Sequence, residues 1–367
     1  MPIAKIDRDG KTLDEWHAAG AEPPLDPRQA ILDPHHHLWD RRNAEDYSEV
    51  APAHRRYLGD DLIDDIVRSG HRVFDTVFVE CLSMYRAEGG PTAPVGEIEF
   101  VQGVRAMAAA DLFGEGLRCC GGIIGFADLT LGPEVAIALD ALATGSSRFR
   151  GIRQAHGFHT SADVPRNHHP TRALEGLLGR EDFRTGFAEL AKRGLIFECW
   201  GYHEQLNEVA DLARTFPETT IVLDHIGGPL GIGPYAGLHG TEVFDVWRQG
   251  LEQVAACTNV VVKLGGCGMP IYGFGFEDRA HPSPSSEALA SAWSPWLRFA
   301  LNAFGSDRSM FESNFPVDKV SCSYGNLWNA FKRIASAEGL DSIQKNGVFY
   351  ATAARIYDLN LPRGLPD

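Results

Sequence analysis

Three consecutive histidines, in the run Asp33-Pro34-His35-His36-His37-Leu38-Trp39-Asp40, are the residues best placed to do chemistry. They close an apolar stretch, 30–35, that reads as a β-strand. Side chains on a strand alternate faces, so His35 and His37 project together while His36 points away. Two imidazoles about 6–7 Å apart along a strand can converge on one divalent ion. A bare His-x-His is more often only a polar strand end; its position at the end of the first strand-like run reverses that reading. Further reactive side chains also sit at run ends. Glu80 closes the second, Arg153 the fourth, His225 the sixth and Asn314 the eighth, and His203 follows the fifth. Arg153 is a planar two-pronged donor suited to a carboxylate, or else an internal ion-pair partner. His203 reads equally as a metal ligand or as an exposed residue at a helix start. Glu312 shares the face of Asn314 one layer deeper, and a buried carboxylate there must either ligate or pair with Lys263 or Arg150. Glu80 carries the same two readings.

The elements that must position these groups repeat regularly. Strand-like runs at 30–35, 73–80, 121–127, 149–153, 195–200, 220–225, 259–264 and 309–314 alternate with amphipathic stretches. The latter lie at 60–69, 94–110, 133–143, 182–193, 203–216, 242–256 and 287–304, with two more at 324–335 and 341–357. Eight apolar strands alternating with helices imply parallel strands buried on both faces. The expected class is α/β, a slightly elaborated (β/α)8 TIM barrel over 31–360 with an N-terminal extension at 1–30 that lacks periodicity. An open doubly wound sheet is weaker, because no Gly-x-Gly-x-x-Gly or phosphate-loop signature follows the first run. Long segments at 38–59, 156–180, 227–241 and 265–286 all follow strand C-termini, where a barrel builds its site.

Composition narrows the function. The 367 residues are 44% hydrophobic and 23% charged, with 39 Gly and 21 Pro, the proportions of an ordinary globular protein. A formal charge of −15 disfavours nucleic acid and anionic membrane partners, though not a small anionic substrate in a locally cationic pocket. No apolar stretch is long enough to span a bilayer, and the charged N-terminus does not read as a secretory signal. Seven scattered cysteines without Cys-x-x-Cys read as reduced thiols, so a cytoplasmic location is expected, and a homo-oligomer is compatible with all of this.

The opening Asp-Pro-His-His-His-Leu-Trp-Asp resembles the first motif of the amidohydrolase superfamily, in the amidohydrolase-2 branch of sugar-lactone, pyrone-dicarboxylate and muconolactone hydrolases and related decarboxylases. Phe149-Arg150-Gly151-Ile152-Arg153, Ile221-Val222-Leu223-Asp224-His225-Ile226-Gly227-Gly228-Pro229, Asn259-Val260-Val261-Val262-Lys263-Leu264 and Met310-Phe311-Glu312-Ser313-Asn314-Phe315-Pro316-Val317 extend the resemblance over about 31–357. It implies a metal-dependent hydrolase acting on a small carboxylate-bearing lactone or similar cyclic ester. Metal ligands would be His35, His37 and His203; His225, Glu80 and Asn314 would be catalytic; Arg153, Trp39 and His156 would bind substrate. The divalent metal is expected to be zinc, given nitrogen ligands, and metal-free action is the alternative. Non-oxidative decarboxylation of an unsaturated or aromatic acid is a second reading. One departure motivates a third, a non-catalytic ligand-binding barrel: the family carries Asp where this chain has Asn314. An amide takes no proton at neutral pH, so the base must lie elsewhere, with Glu80, His225, Glu312 and Asp318 the nearest choices. Being nearly isosteric, Asn314→Asp is expected to be tolerated.

Overall fold

The computed structural model describes residues 10–41, 55–164 and 174–365. Eight parallel strands pair in sequence order. They are β1 (Ala30–His36), β2 (Arg72–Val79), β3 (Gly122–Gly125), β4 (Phe149–Arg153), β5 (Ile196–Cys199), β6 (Ile221–Leu223), β7 (Val260–Leu264) and β8 (Ser309–Phe311). Most of their residues are buried, as expected of a parallel sheet covered by helices. The ring closes just beyond β8, where His36 bridges Phe315. There the His37 N–H donates to the Phe315 carbonyl at 2.7 Å and the Asn314 N–H to the His35 carbonyl at 3.0 Å. The fold is therefore the (β/α)8 barrel.

Helices α2 (Gly59–Ser69), α3 (Val95–Ala109), α4 (Val135–Gly145), α5 (Glu181–Ala191), α6 (Leu206–Thr215), α7 (Glu242–Ala255) and α8 (Ser286–Phe304) connect the strands, and α9 (Tyr324–Ala337) follows β8. In α2 the stripe Leu62, Ile63 and Ile66 is buried, and Gly70 ends the helix in the left-handed conformation at φ 66. No helix among the described residues is long and apolar enough to cross a membrane.

Two elements differ from the sequence reading. The stretch 341–357 is not one helix but Ser342–Asn346, a π turn Gly347–Ala351, and Thr352–Ile356. Within the N-terminal extension, Gly10–Ala19 forms a helix, α1, which lacks a strong apolar period. Tertiary contacts hold it: Leu13 packs on Val320, Asp14 pairs with Lys319 at 2.9 Å, and the His17 ring meets the Lys319 carbonyl at 2.7 Å. His168 and His169, and most of the long loop after β1, lie outside the described residues.

Barrel closure leaves little room between β4 and β5. A Cβ on Gly151 would overlap the Ile196 carbonyl oxygen and lie 2.6 Å from its Cγ1. Because that obstacle is mostly backbone, Gly151→Ala should cost about 1–3 kcal/mol, the scale of overpacking a core. Urea denaturation should show a lower midpoint with unchanged slope.

Candidate active site

The first residue past β8, Glu312, organises the mouth of the barrel. One carboxylate oxygen lies 2.6 Å from His225 Nδ1 and the other 2.8 Å from His35 Nδ1. The His225 backbone N–H also donates to this carboxylate, at 3.1 Å. An ionised carboxylate only accepts, so His225 carries its proton on Nδ1; the same tautomer is assigned to His35 because Arg153, which only donates, faces its Nε2 at 3.3 Å. Burial alone would raise the Glu312 carboxyl, but the His225 and His35 rings outweigh it and hold it down at about 2.

The second imidazole of the motif is fixed in the same sense. His37 Nδ1 donates to the Val79 carbonyl at 2.8 Å, which frees its Nε2. The Nε2 atoms of His35 and His37 then stand 3.2 Å apart. Two bare lone pairs at that separation suit two ligands of one ion, each about 2.0–2.1 Å from it, so these residues fit a divalent metal. His36, as strand alternation requires, faces the other way, its Nε2 2.8 Å from the Thr76 hydroxyl.

A network of buried charge lies beneath. His35, Glu198 and Asp224 could in geometry hold a cation, as could His35, His225 and Glu312. The first set already has one: Lys263 Nζ is 2.6 Å from Glu198, 3.2 Å from Asp224 and 3.1 Å from His35 Nδ1. Burial would strip the Lys263 proton, but Asp224, Glu198 and Glu312 keep the ammonium charged. Burial pushes the Glu198 carboxyl up to about 8, opposed by Lys263, and the Tyr357 hydroxyl donates to it at 2.5 Å. Arg153 donates from Nε to the Glu80 carboxylate at 2.9 Å and from Nη2 to the Glu80 carbonyl at 2.6 Å. Its Nη1 is left 3.3 Å from His35 Nε2 and 3.6 Å from Asp224.

The structure thus brings His35, His37, Glu80, Arg153 and His225 together. Glu80 stands against Arg153, and Trp39 stacks on His37 with ring centroids 6.1 Å apart. His156 is buried with its ring against Gly201. His203, like His37, belongs to neither ligand group; its ring is 5.1 Å from that of Tyr235, whose hydroxyl is 3.0 Å from His159 Nε2. Asn314 donates from Nδ2 to Asp318 at 2.7 Å. Glu312 pairs with neither Lys263 nor Arg150; Arg150 instead holds the Tyr357 carbonyl at 2.6 Å. Glu198, Asp224 and Lys263 were not among the expected site residues. The available signal was a lone charge inside an otherwise apolar strand, at 198 and at 263.

Parallel barrel and imidazole cluster at the strand C-termini together define a class of barrel enzymes that work at that rim. Residues 32–359 match the amidohydrolase family, and the chain belongs to it: it is an enzyme of the amidohydrolase superfamily. It is 32% identical over 344 residues to the uncharacterized protein y4mH of Sinorhizobium fredii, covering 89% of this chain and 98% of that protein. Similarity to an L-fucono-1,5-lactonase of Burkholderia multivorans is 26% over 219 residues, 59% of this chain and 65% of the lactonase. Among solved structures, an amidohydrolase from Burkholderia multivorans with bound zinc shares the fold, with a TM-score of 0.66 at 24% identity over 90% of this chain and all of that one.

The charge network generates a stability test. Lys263→Met would leave Glu198 and Asp224 without their ammonium, and removing one partner of a buried pair costs about 3–5 kcal/mol. Thermal melting should show a fall on that scale, whereas a surface-like loss below about 1 kcal/mol would mean that the ion pair is not buried as described.

Proposed function

We propose that this enzyme hydrolyses a small carboxylate-bearing lactone with a divalent metal, zinc by preference, held by His35 and His37. The observation that carries the reading is the convergence of His35 and His37 Nε2 to 3.2 Å, with His37 Nδ1 on the Val79 carbonyl and His35 Nδ1 2.8 Å from Glu312. Bound there, the ion would supply Lewis-acid polarisation of the lactone carbonyl. His225, with Nδ1–H given to Glu312, offers Nε2 to take the proton of the attacking water and return it to the leaving ring oxygen. Water adds to the carbonyl carbon, the ring C–O bond breaks, and a hydroxy acid leaves. Arg153 orients the substrate carboxylate through Nη1, while Nε and Nη2 each donate to Glu80. Trp39 and His156 contribute walls. The lactonase relative, an enzyme named for a 1,5-lactone, agrees with this choice of substrate class. His203, in neither ligand group, is assigned to the rim with Tyr235.

A metal-free version has its own support: the Arg153 guanidinium lies 3.3 Å from His35 Nε2, close enough to polarise a carbonyl itself. Acid release from a panel of sugar 1,5-lactones and carboxylated lactones, with elemental analysis of the purified protein, separates these readings. His35→Ala/His37→Ala should abolish bound metal, and His225→Ala should keep the metal while lowering kcat by about 10²-fold or more. Full activity after chelation favours the metal-free version. Carbon dioxide release without lactone hydrolysis would instead mean decarboxylation, and tight binding without turnover a ligand-binding barrel.

A further inference from the structure

Asn314 lies two residues beyond Glu312 at the seam of the barrel, its backbone N–H on the His35 carbonyl. Its φ is 54, a left-handed conformation that Asn and Asp tolerate better than most residues. Its side chain is anchored at one end only: Nδ2 donates to Asp318 Oδ1 at 2.7 Å, and Oδ1 is buried with no hydrogen-bond partner. Asp318 is itself buried and committed at both oxygens, since Oδ2 accepts the Gly268 N–H at 2.8 Å. The turn between Gly265 and Gly268 packs on both partners of the site. A Cβ at Gly266 would meet the His225 ring, and one at Gly268 would meet the Asp318 carboxylate.

From this arrangement we infer that Asp318 is a positioning residue that locks the Asn314 amide so that its oxygen, never its NH2, is offered to the reaction. Burial raises the Asp318 carboxyl to about 7, and in its ionised form it only accepts, so the NH2 faces it and the opposite amide atom is the oxygen. Position 314 then supplies a neutral acceptor, suited to holding an O–H of the attacking water while His225 takes the other proton. The lock does not depend on what the substrate is. Only its rate consequence rests on the lactone hydrolysis proposed above.

The geometry makes the two single substitutions fail for different reasons. With Asp318→Asn, one of its two acceptor positions becomes an NH2. Facing Gly268, that NH2 meets another N–H; facing Asn314, it turns the Asn314 amide over and presents a donor to the site. With Asn314→Asp, two carboxylates meet at the distance of a hydrogen bond, so the expected tolerance of this near-isosteric change is reversed. Combining Asn314→Asp with Asp318→Asn restores the pattern. The amide, now at position 318, donates to the carboxylate at position 314, which again offers an oxygen to the site.

The test is this cycle of four proteins, with melting temperature and lactone kinetics measured on each. Each single substitution should lower kcat by about 10-fold or more, with KM changed far less. Each should also lower the melting temperature, and the double variant should recover most of both losses. A double variant no better in kcat than the worse single one overturns the positioning role. A double variant whose melting temperature equals the sum of the two single effects shows no coupling and overturns the lock, even if no lactone is turned over. Failed lactone hydrolysis in all four proteins, with the thermal coupling intact, would count against the proposed reaction while upholding the lock.

Discussion

Everything at the barrel mouth depends on one carboxylate held between two imidazoles. Glu312 is fully buried, and an ion so placed costs several kcal/mol unless its lone pairs are filled. His225 donates to one oxygen from its ring and its backbone, and the His35 ring stands 2.8 Å from the other. The rings come from different parts of the barrel, β1 and the turn just past β6, so a single side chain past β8 couples three distant segments of sequence. The aim of His35 and His225 follows from that anchor, while the Val79 carbonyl sets His37 and Glu80 sets the reach of Arg153 toward His35.

The site also coincides with the closure of the barrel. Backbone bonds from Asn314 to His35 and from His37 to Phe315 join the last strand to the first, and the same residues carry the reactive side chains. Asp33 reinforces the seam, accepting from the Ser313 N–H at 3.0 Å and the Tyr324 hydroxyl at 2.9 Å. Fold and function therefore share residues here, because the backbone bonds that close the barrel also position His35 and Asn314. The cations Lys263 and Arg153 serve the complementary need, balancing the acidic groups that the site concentrates in a low-dielectric interior.

The eight strands were legible in the sequence because buried parallel strands are short and apolar throughout, and helices of period 3.6 separate them. The His35/His37 pair was legible because strand alternation is a strict geometric rule. What strand alternation cannot supply is the partner across the barrel. Glu312 could be seen as a costly buried carboxylate, yet nothing local distinguishes Lys263 from His35 as its partner, since the choice is made between strands remote in sequence. Glu198 and Asp224, the partners that Lys263 has instead, were not legible for the same reason. Helix α1 escaped because its stability comes from Lys319 and Val320, near the other end of the chain, and not from its own pattern.

The tautomers of His35 and His225 test the central claim most directly. Long-range nitrogen–proton NMR on protein labelled with nitrogen-15 in its histidines reads them out at about pH 8, above the ordinary imidazole range near 6.5. Both rings should carry their proton on Nδ1, with Nε2 unprotonated, and Glu312→Gln should disturb both signals together. Protonation of either ring on Nε2 in the native protein, or a Glu312→Gln variant that leaves both signals unchanged, would contradict that claim.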